Sequence, residues 1–241
     1  MERFTYFLYH SIWEALDWIY PPTCSGCGSE GVRWCLNCDN SLVKIVEDVC
    51  SICGYPSGNG EICEKCLQSK PSFMQLRSIF KYQTGIRKAL HQLKYKNDLG
   101  MGDILGQKCA HFMKSLSWSI DIISSVPLGK RRRKERGYNQ AALIAYPMAL
   151  LLNTPYESNI VKRVKETHSQ IDYSADQRKE NMQNAFISNS NVIRGKNILI
   201  VDDVITTGST MDSCADALLR GGANNVYGLS VARTMIENDL T

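Results

Sequence analysis

The chain has 241 residues, 44% of them hydrophobic and 22% charged. That is enough apolar side chain for a packed core, and it excludes wholesale disorder. The formal net charge is +4 with cysteines counted as neutral. If eight of the ten cysteines hold two zinc ions as thiolates, each site carries a net charge of about −2 and the total falls to about zero. The overall balance therefore gives no argument for a nucleic-acid partner, and only local clusters can.

The composition divides the chain into residues 1–22, 23–70 and 71–241. Residues 3–20 predict a short amphipathic helix. Leu8, Ile12, Leu16 and Ile19 recur at helical spacing beside Trp13 and Trp18, and Pro21 and Pro22 end it. The stripe predicts a helix docked by its apolar face on its own protein, with a partner surface as the alternative. The scarcity of basic residues argues against a membrane face. The stretch is too short and too charged to span a bilayer, with His10, Glu14 and Asp17 inside it, and no small-residue cleavage site follows. The expected location is the cytoplasm, where thiols stay reduced and paired cysteines favour metal.

Residues 23–70 are too few to build a core of their own, which calls for a staple. Four C-x-x-C knuckles supply it: Cys24/Cys27, Cys35/Cys38, Cys50/Cys53 and Cys63/Cys66. A two-residue gap lets both sulfurs face one ion, so four knuckles complete two tetrahedral zinc sites. Sequential pairing is simplest, and a crossed pairing stays open. A full four-sulfur shell leaves no open position, so the expected role is structural. Cys109 and Cys214 fall on predicted helix faces and read as small core residues.

From residue 71 onward, apolar runs alternate with helical patterns. Strands are predicted over 76–82, 121–126, 198–201 and 226–231, and helices over 86–93, 104–116, 141–152 and 209–220, with Pro147 a potential kink. This alternation indicates an α/β domain with a mostly parallel sheet flanked by helices.

The most informative segment is ILIVDDVITTGST, residues 198–210. A buried strand ends in Asp202 and Asp203, and Val204 leads to Thr206, Thr207, Gly208, Ser209 and Thr210, which open a helix. In open α/β sheets ligands bind at the carboxyl ends of strands. A hydroxyl-rich loop at a helix N-terminus suits a phosphate, and the paired carboxylates suit ribose hydroxyls. A second strand-end loop, Val126, Pro127, Leu128 and Gly129, runs into the basic stretch 130–136, which includes Arg132 and Arg136. Its placement between a strand and a helix favours a polyanion site, either pyrophosphate or single-stranded nucleic acid with Tyr138 as a stacking face.

The 198–210 segment closely resembles the signature of type I phosphoribosyltransferases, which binds phosphoribosyl pyrophosphate (PRPP). Further motifs resemble one family, the ComF competence proteins, along essentially the whole chain. They include residues 21–24 (PPTC), Leu93-Lys94-Tyr95, Pro127-Leu128 with Arg132, Arg136, Gly137, Asn139 and Gln140, and Arg163, Thr167, Gln170, Arg178, Asn181, Ala185 and Phe186. Ala232-Arg233 completes the set. Tyr138, Lys165 and Tyr173 depart from the usual pattern.

The resemblance implies a type I phosphoribosyltransferase-like fold with a small hood, fused to an N-terminal double zinc ribbon. It also implies a role in natural transformation, in contact with single-stranded DNA or a competence helicase. In this reading PRPP binds with Mg²⁺. Asp202 and Asp203 hold the ribose, Thr206 to Thr210 grip the 5-phosphate, and the 127–132 region holds the pyrophosphate. Arg132, Arg136 and Lys94 are candidates for stabilising the leaving group. Thr167, Gln170 and Arg178 sit in a polar segment expected to act as a lid, and His168 is a weak general-base candidate. Turnover with an unknown acceptor, PRPP sensing without turnover, a DNA or helicase adaptor, and a housekeeping purine or pyrimidine enzyme all remain open.

Overall fold

The alternation of apolar runs and helical patterns folds as expected. The computed structural model describes residues 2–45, 48–58, 60–164 and 185–235. In chain order, helix α1 (Glu2–Ile19) precedes the cysteine-rich segment, which carries the one-turn helices α2 (Leu36–Asn40) and α3 (Glu64–Gln68). Next come β1 (Gln75–Lys81), α4 (Thr84–Tyr95), α5 (Met101–Met113), β2 (Ile122–Ser125), α6 (Lys130–Arg136) and α7 (Gln140–Leu152). The short strands β3 (Val161–Arg163) and β4 (Phe186–Ser188) are followed by α8 (Ser190–Ile193), β5 (Asn197–Ile205), α9 (Ser209–Arg220) and β6 (Asn225–Arg233).

Four strands form one sheet in the order β1-β6-β5-β2, with every neighbouring pair parallel. Parallel strands are covered on both faces, and their side chains alternate between them. Leu199 and Val201 of β5 enter one core with Leu90 of α4, Leu105 of α5 and Ile144 of α7. Ile198 and Ile200 enter the other, with Met211, Cys214 and Leu218 of α9. Cys109 and Cys214 are fully buried, one in each core, as small apolar residues. The antiparallel pair β3–β4 forms a separate two-stranded sheet packed against α9, which is the small hood. Pro147 sits inside α7, which runs unbroken from Gln140 to Leu152.

Two elements differ from expectation. The basic run, read as part of a loop, is helix α6. Lys, Arg and Glu are good helix formers, and Gly137 closes the helix in the left-handed conformation at φ 79°. The other difference is the orientation of α1. Its stripe of Leu8, Ile12, Leu16 and Ile19 is exposed, with Leu8 at 57% and Ile19 at 59%. The helix docks instead through Tyr6, Tyr9, His10 and Trp13. Asp103 of α5, only 2% exposed, accepts from Tyr6 Oη at 3.1 Å and Gln107 Nε2 at 3.2 Å and lies 2.5 Å from His10 Nδ1. Tyr9 packs edge-on against Tyr146 of α7. Asp17 pairs with Arg33, which also pairs with Asp98. A buried carboxylate must be satisfied, and that requirement outweighs the burial of a few aliphatic side chains.

Asp103→Ala is therefore expected to cost about 2–3 kcal/mol, because it strips the partners from Tyr6 and His10. Leu8→Ala should cost less than about 0.5 kcal/mol. Urea unfolding of both variants checks this, and a Leu8→Ala cost as large as that of Asp103→Ala would show that the stripe is the docked face.

Candidate functional site

The eight knuckle cysteines gather into two clusters, Cys24/Cys27/Cys35/Cys38 and Cys50/Cys53/Cys63/Cys66. The pairing is sequential. In each cluster all four sulfurs lie within 4.8 Å of one another. A tetrahedral zinc–thiolate centre places its sulfurs about 3.8 Å apart. The Cys27–Cys35 and Cys53–Cys63 sulfurs stand 3.6 and 3.7 Å apart. Backbone N–H groups turn toward the sulfurs, Cys38 N to Cys35 Sγ at 3.5 Å and Cys63 N to Cys50 Sγ at 3.3 Å. This donor set fits two structural zinc ions and leaves no position open for a substrate.

The second feature is a cleft of about 420 Å³ at the carboxyl ends of β2, β5 and β6. It brings together residues the sequence singled out: Lys94, Val126, Pro127, Leu128, Arg132, Arg136, Asp202, Asp203, Val204, Thr206 and Thr210. Thr207, Gly208 and Ser209 belong to the same loop but do not line the cleft. Gly208 holds φ 83°, a left-handed turn that a side chain would strain, and caps α9. Thr207 Oγ1 meets Ser209 Oγ at 2.9 Å. Thr167, Gln170, Arg178 and His168 lie outside the described residues.

Successive residues of a strand point to opposite faces, and the two aspartates differ accordingly. Asp203 is buried at 4% exposure. Its Oδ1 accepts from Gln140 Nε2 at 3.1 Å, and its Oδ2 forms an ion pair with Lys94 but has no hydrogen-bond partner of proper geometry. Asp202 is partly accessible at the cleft, and its Oδ1 accepts the Asp203 backbone N–H at 2.8 Å. Burial, reinforced by the charge of Asp203, pushes the Asp202 carboxyl well above the usual carboxylate range.

The helical form of the basic run sorts its charges. Residues four apart share a face, so Arg132 and Arg136 both reach the cleft, while Arg131 pairs with Glu135 on an exposed face. Arg136 donates to Gln140 Oε1 at 2.9 Å and to Tyr95 Oη at 3.0 Å and lies over the Tyr95 ring. Gln140 thus links the Arg136 guanidinium to Asp203. Arg163, at the end of β3, lines the cleft opposite Gly129.

Sequence reasoning missed Tyr82 and Thr234, which also line the cleft. Both follow strand ends, and position just past a strand was the one signal that could have found them. A larger cleft of about 770 Å³ runs between Asp39, β1 and α5; it holds neither the carboxylate pair nor the hydroxyl loop.

Two expectations follow. Metal analysis of protein purified without chelator should give about two zinc ions per chain, and finding none would remove the structural role of the clusters. Asp202→Asn tests the strain in the carboxylate pair. A carboxyl whose pKa is raised by folding supports the fold at low pH, and that support is lost as pH rises from the ordinary carboxylate range through the raised value. The Asn variant should therefore melt at a higher temperature than the parent at pH 7.5, with the gap shrinking toward pH 4. A lower melting temperature at pH 7.5 would mean that Asp202 is stabilised by its surroundings.

Family models match the chain twice: a double zinc ribbon domain over residues 15–67 and a phosphoribosyl transferase domain over residues 139–233. The DNA utilization protein YhgH of Salmonella typhi is 36% identical over 193 residues, covering 78% of this chain and 85% of that protein. Competence protein F of Haemophilus influenzae is 29% identical over 223 residues, covering 87% and 90%. Competence protein ComFC of Bacillus subtilis is 26% identical over 211 residues, covering 83% and 84%. Among solved structures, the adenine phosphoribosyltransferase of Thermoanaerobacter pseudethanolicus aligns with a TM-score of 0.38 at 15% identity, over 68% of this chain and 93% of that one. A likeness so distant adds nothing to the assignment. The sequence relatives and both domain matches agree, and the chain belongs to the family of competence protein F, ComFC and YhgH, with a double zinc ribbon ahead of its phosphoribosyltransferase domain.

Proposed function

We propose that the cleft binds PRPP with Mg²⁺, and that the chain is a cytoplasmic phosphoribosyltransferase-type protein supporting the handling of single-stranded DNA in natural transformation. The observation that carries the ligand is the junction at the end of β5. Paired carboxylates stand beside a hydroxyl-lined helix N-terminus, in one cleft with Arg132, Arg136 and Arg163. Sugar hydroxyls, a 5-phosphate and a pyrophosphate are the groups these residues complement. The names of the relatives, competence and DNA utilization, support the cellular role. No helix of the described residues is long and apolar enough to cross a membrane.

The donor set is compatible with Mg²⁺, which takes most of its ligands from substrate phosphates and water and only one or two from carboxylates. Bound there, it would offset pyrophosphate charge. Asp202 and Asp203 would accept hydrogen bonds from the ribose hydroxyls. Thr206 to Thr210 would donate to the 5-phosphate. Arg132, Arg136 and Arg163 would face the pyrophosphate, which leaves C1 with the bonding electron pair as an acceptor nitrogen attacks and then loses its proton. Lys94 holds Asp203 in place and sits close enough to share the work of charge stabilisation. Among the described residues lining the cleft there is no histidine or glutamate, so the acceptor's proton would leave to Asp202, Asp203 or solvent.

Calorimetry with PRPP and Mg²⁺ tests the ligand. Binding is expected, and Asp203→Asn should weaken it roughly tenfold to a hundredfold. Pyrophosphate release with a panel of bases, lost in that variant, would establish a transferase; binding without release would make the protein a PRPP sensor. No binding at saturating PRPP would sink the reading.

A further inference from the structure

The two zinc ribbons have the same ligand spacing within each knuckle but different attachments. The first is tied toward α1 and α5. Arg33 bridges Asp17 and Asp98, Ser25 Oγ donates to Asp98 at 2.5 Å, and Lys108 of α5 pairs with Asp39. None of these bonds reaches the cleft.

The second ribbon is tied to the phosphate loop. Its helix α3 begins just after the ligand Cys63 and contains the ligand Cys66, and Lys65 lies between them. Lys65 Nζ donates to the Thr207 carbonyl oxygen at 3.4 Å. Just beyond the ribbon, the Ser72 backbone N–H donates to Asp212 Oδ1, in the first turn of α9, at 2.6 Å. Leu76 N donates to Ile52 O at 2.8 Å, and Arg77 Nη2 donates to Ser51 O at 3.0 Å. Gly54 sits so close to β1 that a Cβ there would collide with the Leu76 carbonyl. Buried Arg233 lies over the Tyr55 ring, and its backbone is in register with Ile205, the residue before the loop.

The Lys65 contact has a specific geometric consequence. A trans peptide is planar, with its C=O and the following N–H pointing to opposite sides. Lys65 does not line the cleft, whereas Thr206 and Thr210 do. Drawing the Thr207 carbonyl toward Lys65 turns the Gly208 N–H to the opposite side, away from Lys65. Gly208 is the residue most free to flip, because its left-handed conformation carries no side chain to hold it.

We propose that Lys65, held by the second zinc ribbon, is a positioning residue for the 5-phosphate cradle, so that metal occupancy of this ribbon and phosphate binding are linked while the first ribbon stands apart. The inference rests on the PRPP reading and deepens it. Linkage is reciprocal: whatever the second centre contributes to phosphate affinity, bound phosphate returns to the second centre.

The test uses the full, zinc-loaded chain with ribose 5-phosphate and pyrophosphate as separate probes. Lys65→Ala should weaken ribose 5-phosphate binding about fivefold and leave pyrophosphate within about twofold, with Lys65→Arg restoring most of the loss. Lys44→Ala, beside the first ribbon, should change neither. Zinc release to a chromogenic chelator gives a readout independent of activity. Saturating ribose 5-phosphate should slow the release of one of the two ions, and Lys65→Ala should abolish that protection. Equal affinity of Lys65→Ala and the parent for ribose 5-phosphate, or protection of both ions or of neither, overturns the inference while the PRPP reading stands. Absence of ribose 5-phosphate and PRPP binding by the unchanged chain overturns both.

Discussion

Two carboxylates on consecutive residues at the end of a buried strand are the constraint around which the cleft is organised. Two like charges on adjacent residues repel, and burial adds a solvation cost. The fold answers each cost differently. Asp203, buried, receives Lys94 from α4 and Gln140 from α7. Asp202 receives a single backbone N–H and stays partly open to the cleft. The outcome is one carboxylate held by two side-chain partners and one whose pKa is raised by burial and by its charged neighbour.

The surrounding polar groups form a connected chain from Tyr95 through Arg136 and Gln140 to Asp203 and Lys94. Each link uses a donor on one side and an acceptor on the other. Gln140 does both at once, its amide oxygen accepting from Arg136 and its nitrogen donating to Asp203. Such a network fixes the orientation of the Arg136 guanidinium at the edge of the cleft. The packing of α4 and α7 against the β5 face is thereby coupled to the charges in the cleft. The same side chains that fix the helices also fix the electrostatics.

The sequence made the cysteine pairs and the segment 198–210 legible, because in both cases local spacing determines geometry. Two residues between cysteines close one knuckle, and a strand, two acids and a glycine turn lead directly into a helix. The predicted helix over 209–220 and its glycine cap needed no distant information. The helical state of residues 130–136 was hidden because seven charged residues, six basic and Glu135, carry no apolar periodicity. Only the spacing of Arg132 and Arg136, one turn apart, hinted that they would share a face. The orientation of α1 was hidden for another reason. Periodicity reveals which face of a helix is apolar, yet the buried face was chosen by Asp103, a residue 93 positions from His10. The role of Gln140 was likewise invisible, since its meaning depends on lying between Arg136 and Asp203 in space.

The two zinc ribbons show how far equal local sequence can diverge in consequence. Both clusters close the same four-sulfur shell, and a metal centre in either one stiffens only what is bonded to it. The first is bonded to α1, to Asp98 and to α5, and the segment 43–45 that follows it is bonded to β1. The second is bonded to the strand β1, to the end of β6 and to the loop that opens α9. A short helix that cannot stand alone in water gains a fixed position from the metal at its base, and that position is passed to one lysine and one carbonyl oxygen. A small module without a core of its own thus contacts the loop that opens α9.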